Sequence, residues 1–319
     1  MRNVIITGIT GFAGSYLAEY LLSLHDSEIH GTYLTDDSLK LLSGSKEKLH
    51  LHKINLMDAK VVGELIKKVK PHEIYHLAAL TSPADSLKNP SETITNNIAA
   101  QTNVLEAVKL VELTNCRILI TSSADIYGKV EASDLPIDEE TVLRPTSPYA
   151  VSKIAQDYLG LQYFLSHKLN IIRVRPFNHI GPRQSPNFAV PSFTKQIAEI
   201  EKGKIESTIK VGNLTSRKDF TDVRDMVKAY ALLMEKGVAG DAYNIGSGKS
   251  VQIEEILKKL LSLSDKKITI SPDPERFRPN DADDFICDNK KFVDLTGWSP
   301  EIPLETTLED TLNYWREQV

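Results

Sequence analysis

The stretch NVIITGITGFAGSYLAEYLLSL, residues 3–24, decides the fold. NVIIT (3–7) has the length and β-branched content of a buried strand, and GSYLAEYLLSL (14–24) repeats its apolar residues at helical spacing. Between them Gly8, Gly11 and Gly14 form a G-x-x-G-x-x-G turn. Glycine at such a turn lets the backbone approach a pyrophosphate, whose charge then lies on the N-terminus of the next helix. The spacing differs from the G-x-G-x-x-G dinucleotide fingerprint, so a plain glycine turn is the rival reading. The setting, strand then turn then helix at the head of an alternating domain, favours the anion site.

Outward from that turn the alternation continues. EIHGTY (28–33), LHKIN (51–55), EIYHLAA (73–79), CRILITSS (116–123) and NIIRVRPF (170–177) read as strands, with helices over 58–70, 91–113 and 148–167. Such β-α repetition predicts an α/β fold: a Rossmann-like parallel sheet flanked by helices, with ligands beyond the carboxyl ends of the strands. After about residue 180 the rhythm breaks into NHIGPRQSP, a loop, and a helix over 190–203. The expected division is a dinucleotide-binding domain over 1–177 and a smaller C-terminal α/β substrate lobe over 178–319, with segments free to cross back to the sheet.

Bulk composition narrows the partners. Of 319 residues, 41% are hydrophobic and 25% charged, the balance of an ordinary folded chain. A net charge of −5 and a pI near 5.9 leave no basic excess for nucleic acid or an anionic membrane. The N-terminus lacks an apolar leader core, and no run reaches the roughly 18 apolar residues of a membrane span, so a cytoplasmic location is expected. Cys116 and Cys287 are too few for a disulfide framework or metal cluster and are expected to be buried free thiols. HEIYH (72–76) matches a zinc-binding H-E-x-x-H, which needs a helix. Along a strand its histidines would stand roughly 13 Å apart, so no metal is expected there.

The chemistry gathers at two later motifs. SSADIYG (122–128) follows a strand, so its hydroxyls and carboxylate should emerge at the carboxyl end, to meet a substrate or to cap the next turn. SPYAVSK (147–153) sets Tyr149 and Lys153 four apart on a helix face. A chain of this composition holds about one Tyr-x-x-x-Lys by chance, so only the surroundings give the pair weight. An ammonium beside a phenol should lower its pKa from about 10 toward neutrality, where it serves acid-base catalysis. A nearby serine could hold a carbonyl oxygen within reach.

TGITGFAGSYLAEYLL, YHLAAL, SSADIYG, SPYAVSK, RPFNHIGPRQ, DFTDVRD, YNIGSG and TGWSPEIPL together resemble, in order, the extended short-chain dehydrogenase/reductases that modify nucleotide sugars with NAD(P)(H). Within that branch RPFNHIGPRQS, IKVGNL and SSADIYG look most like the enzymes that act on GDP-mannose derivatives. The resemblance implies reduction of the C4 keto group of GDP-4-dehydro-6-deoxy-D-mannose to GDP-D-rhamnose. The alternatives are 4,6-dehydration of GDP-mannose and, further off, 4-epimerisation. A non-catalytic dinucleotide sensor on the same fold would be expected to have lost Tyr149, Lys153 or Ser123. The guanine base rests on the resemblance alone.

The resemblance also implies roles for residues. Tyr149 would donate the proton, Lys153 would tune it and hold the nicotinamide ribose, and Ser123 would hold the sugar O4. Asp125 stands where dehydratases carry a glutamate that works at C5 and C6. Gly8, Thr10, Gly11, Phe12, Ala13 and Gly14 would cradle the cofactor, Asn55 and Leu56 would meet its adenine, and Leu77, Ala78, Ala79 and Asn97 would line its path. Asn178, Val190, Lys195, Gly212, Asn213 and Arg278 match positions of the nucleotide-sugar site. The chain departs from the pattern at RKDF, where a phosphate contact passes to Arg217 or Lys218, and at Ala100-Gln101, where relatives often have Gly-Thr. It departs again at Leu34, where an arginine for the 2′-phosphate is usual. Asp36 and Asp37 would repel such a phosphate, which favours NAD(H). A homodimer through the helices around 91–113 and 148–167 is a further implication.

Overall fold

The computed structural model describes residues 1–277 and 284–319. β1 (Arg2–Thr7) enters α1 (Phe12–Ser23), followed by β2 (Ser27–Tyr33), β3 (His50–Lys53), α2 (Ala59–Val69), β4 (Glu73–His76), α3 (Pro83–Lys88), α4 (Pro90–Leu110), β5 (Arg117–Thr121), α5 (Pro148–His167) and β6 (Asn170–Pro176). The remainder runs β7 (Asn178–Ile180), α6 (Ala189–Glu201), β8 (Thr208–Val211), β9 (Arg217–Asp222), α7 (Val223–Lys236), β10 (Ala242–Ile245), β11 (Ser250–Gln252), α8 (Ile253–Ser262), β12 (Thr269–Pro272), α9 (Lys290–Thr296) and α10 (Leu304–Gln318).

Seven parallel strands form the main sheet in the order β10-β6-β5-β4-β1-β2-β3, with Val4 facing Ile29 on one side and Glu73 on the other. The order reverses between β1 and β4, and a crevice opens beyond the carboxyl ends at such a reversal. Both faces are covered, as near-continuous apolar strands require. Val4, Ile6 and Ile29 pack toward α1 and α7, while Ile5, Ile74 and Ile118 pack toward α2 and α4. This is the Rossmann-like sheet anticipated. Residues 223–236 and 242–245 return to it, α7 against α1 and β10 as the edge beyond β6. A separate core gathers α6, α8 and α10 around Ile197, Leu257 and Leu312.

Three local differences from the sequence reading have physical causes. β4 ends at His76, because the Leu77 and Ala78 amides donate to the Thr7 hydroxyl at 3.1 and 3.2 Å and leave the ladder. α3 is an extra short helix, started by the Ser82 cap and Pro83. β10 hides in YNIGSG, too short for periodicity to reveal. HEIYH forms a strand as read, and Cys116 and Cys287 are buried and unpaired.

One ionic knot fixes α5. Asp157, fully buried, accepts from Arg173 at 2.5 Å and from the Arg175 Nε at 2.8 Å. Arg175 also donates to the Tyr127 hydroxyl at 3.0 Å, which donates to Asn244 at 2.7 Å. α5 is thereby tied to β6, to β10 and to the turn after β5. Asp157→Ala leaves two buried guanidinium groups without their carboxylate, and an expected loss of about 3–5 kcal/mol in urea unfolding follows. A loss within the roughly 0.5 kcal/mol of a surface substitution contradicts this.

Candidate active site

The site starts at the glycine turn. Gly8 adopts φ +69°, and the Gly11 amide donates back to its carbonyl at 2.9 Å. A Cβ on Gly14 would stand 2.4 Å from the Gly8 oxygen, so the turn admits glycine alone there. Gly11 offers no side chain to cap α1, and the first turn holds no acidic residue, which leaves its N–H groups available to an anion. This cradle fits the pyrophosphate of a dinucleotide.

A cleft of about 1330 Å³ runs from that turn along the carboxyl ends of the strands into the lobe. Gly8, Thr10, Gly11, Phe12, Ala13 and Gly14 line its head, Asn55 and Leu56 the end of β3, and Leu77, Ala78 and Ala79 the exit of β4. Ser123, Asp125, Tyr149 and Lys153 stand at mid-cleft. The lobe side carries Asn178, Val190, Gly212, Asn213 and Lys218.

Three expected residues are off the wall, and one lies outside the described residues. Asn97 is fully buried and spends its amide on the Leu80 backbone, at 2.7 and 3.1 Å, and on Ser152 at 2.9 Å. It braces the exit of β4 from behind. Lys195 sits over the Trp315 ring at 5.6 Å and beside Glu199 at 3.7 Å. Arg217 donates to the Ser250 carbonyl at 2.9 Å and pairs with Glu255 at 3.5 Å. Consecutive strand residues face opposite ways, so β9 turns Lys218 to the cleft and Arg217 away. Arg278 lies outside the described residues. Arg276, which the sequence reading passed over, lines the cleft and donates to Ser192 at 2.8 Å.

Local sequence aims the central group. Ser147 caps α5 by accepting from the Ala150 amide at 3.1 Å, and Pro148 occupies the first turn. Tyr149 and Lys153 therefore share the face toward β5. The Tyr149 amide donates to Ser86 at 3.1 Å, and the Lys153 ammonium donates to the Thr121 carbonyl at 2.8 Å, 6.0 Å from the phenol ring centre. Ser123 hydrogen-bonds the phenol and accepts from the Asp125 amide at 3.1 Å.

The electrostatics differ from the expectation that the lysine draws the phenol toward neutrality. Burial, with the Asp125 carboxylate adding to it, pushes the Tyr149 phenol above its usual 10, and the Ser123 hydrogen bond only partly opposes this. Burial also brings Lys153 down to about 7. Beside it, His76 is held down at about 3 by burial and by Lys153, and its Nδ1 lies 3.0 Å from the Thr7 hydroxyl. Tyr230 of α7 also lines the cleft with a buried hydroxyl lacking a hydrogen-bond partner among the described residues. A lone tyrosine in an amphipathic helix gives no sequence signal for that.

This architecture recurs in known proteins. A GDP-6-deoxy-D-mannose reductase of Pseudomonas aeruginosa is 32% identical over 318 residues, covering 100% of this chain and 98% of its own length. A GDP-mannose 4,6-dehydratase of Yersinia enterocolitica is 28% identical, covering 96% of this chain and 91% of its own. Among solved structures, RMD from Pseudomonas aeruginosa complexed with NADPH superposes with a TM-score of 0.87 at 30% identity, covering 100% of both chains. The GDP-mannose 4,6 dehydratase family model matches residues 5–311, so the chain belongs to that family, within the nucleotide-sugar branch of the short-chain dehydrogenase/reductases.

Proposed function

We propose that the protein reduces the C4 keto group of GDP-4-dehydro-6-deoxy-D-mannose to GDP-D-rhamnose. The observation that carries this reading is the placement of the Tyr149 phenol at mid-cleft, hydrogen-bonded to Ser123 and one helical turn from Lys153. Reduction of a ketone leaves an alkoxide that needs a proton, whereas oxidation of an alcohol needs a base. A neutral phenol beside a hydroxyl that can hold the ketone oxygen is suited to the first task. When bound, the nicotinamide of NAD(P)H supplies the hydride. Ser123 holds the ketone oxygen, Tyr149 passes its proton to that oxygen, and Lys153, anchored on Thr121, holds positive charge beside the phenolate left behind. Lys218 and Arg276 on the lobe wall are the cations suited to a diphosphate, as point charge and planar fork respectively. The cofactor on the sheet and the sugar nucleotide on the lobe is the division of labour that goes with this reading.

Dehydration is the second reading, favoured by the named dehydratases among the relatives. Against it stands Asp125, one methylene shorter than the glutamate expected of that chemistry. A misplacement of about 1 Å can cost on the order of 100-fold.

For the cofactor, Leu34 offers no charge to a 2′-phosphate, which supports NAD(H). Asp36 is paired with Lys53 at 2.5 Å, so its repulsion is partly neutralised, and Lys40 on the cleft wall is the cation through which NADP(H) would be accepted. A homodimer is supported by Leu110, Val151, Tyr158 and Leu165, large exposed apolar residues on α4 and α5. A cytoplasmic location accompanies this reading; among the described residues no helix is long and apolar enough to cross a membrane.

Product analysis separates the two reactions. With the 4-keto sugar nucleotide and NADH or NADPH, GDP-rhamnose is expected, and conversion of GDP-mannose without added reductant contradicts the assignment. Tyr149→Phe is expected to lower kcat by roughly 100- to 10,000-fold with the fold intact; undiminished turnover refutes its role. Because Lys153 titrates at about 7, kcat/KM for reduction should fall as pH rises through that value. A profile flat to the ordinary lysine range contradicts this. Lys40→Ala should depress kcat/KM for NADPH and spare that for NADH; equal effects on both rule out its contact with the 2′-phosphate.

A further inference from the structure

The open edge of the main sheet, away from the cleft, carries a cluster of ring nitrogens that the reaction does not use. β3 is the edge strand, and its register with β2 sets His30 opposite His50, with His52 two residues farther on the same face. The His30 ring stacks on both, 4.7 Å from His50 and 5.4 Å from His52 between centres. Its Nδ1 lies 3.1 Å from the His52 Nε2. Glu28, two residues before His30 on β2, completes the group: one ligand atom each from Glu28, His30 and His50 lie mutually within 4.8 Å.

A tetrahedral zinc with bonds of about 2.0–2.1 Å sets neighbouring ligand atoms about 3.3 Å apart. The 3.1 Å between His30 Nδ1 and His52 Nε2 is close to that but is spanned by an N–H···N hydrogen bond, so zinc would take the place of that proton as the donor ring shifts it to its other nitrogen. Because imidazole lone pairs lie in the ring plane, stacked rings must rotate to converge, and Glu28 and His50 are exposed and free of core packing. The opposing charge is Lys68 of α2, itself exposed and on a flexible stem.

We propose that Glu28, His30, His50 and His52 form a binding site for a divalent transition-metal cation of zinc type, which staples β2 to the edge strand. Three imidazoles and one carboxylate suit zinc, nickel or copper and give no selectivity for hard cations such as Mg²⁺. None of the four residues lines the cleft. The staple therefore acts on the sheet, three residues before Tyr33 and the cleft wall that follows it.

The test is calorimetric titration of the tag-free full chain with ZnCl₂, and separately MgCl₂, alongside thermal unfolding. Wild type should bind one zinc ion and unfold at higher temperature with it, as preferential binding to the native state requires. His50→Ala, an exposed change that leaves the core untouched, should lose at least about tenfold in zinc affinity, the scale on which even outer-shell changes act. His30→Asn should do the same, while His167→Ala on α5 should bind as wild type. Zinc affinity unchanged in His50→Ala, or matched by magnesium in wild type, overturns the proposal.

Discussion

The burial of one helix face against the end of one strand governs the rest of this protein. Lys153 donates to the Thr121 carbonyl, Ser122 at the next position donates to the Lys153 carbonyl at 3.2 Å, and one turn farther Asp157 holds Arg173 and Arg175. These contacts fix how far α5 has slid and turned relative to β5. A slip of one residue would rotate Tyr149 by about 100° and remove it from the cleft. The catalytic geometry is thus a consequence of a buried electrostatic lock, whose members would each be costly to leave unpaired.

The same burial sets the chemistry. Desolvation disfavours charge on both groups, so the phenol is held neutral and the ammonium is brought to the edge of titration. The neutral phenol still carries the proton that an alkoxide forming beside it, a much stronger base, would take. The resulting phenolate faces a lysine that is more readily charged once that negative charge exists. Asp125 contributes by raising the phenol further, a role distinct from proton abstraction at a sugar carbon. His76, neutral below Lys153, adds no competing positive charge.

Much of this was legible in the sequence because the signals were local. The glycine turn, the Ser147-Pro148 start of α5 and the apolar strands each depend on neighbours a few residues away. Residues whose place depends on distant partners were not legible. Asn97 looked like a wall residue, yet its amide is absorbed by Leu80 and Ser152. Arg217 and Lys218 were interchangeable until the pairing of β9 with β7 and β11 fixed which faced the cleft. Lys195 was drawn away by Trp315 of a helix more than 100 residues later. The direction of the Tyr149 shift has the same origin: adjacency along a helix is visible in sequence, but the depth of burial is not. His30 and His50 lie 20 residues apart, and only strand register brings them together.

Burial, with the Asp125 carboxylate beside it, raises the Tyr149 phenol above the usual tyrosine range, so the proton-bearing form meets the substrate. Carbon-13 NMR of protein labelled at tyrosine Cζ, with Tyr149→Phe assigning the resonance, measures this without substrate. The account predicts a phenol signal that persists beyond the pH at which exposed tyrosines ionise. A phenolate signal appearing near neutrality contradicts it.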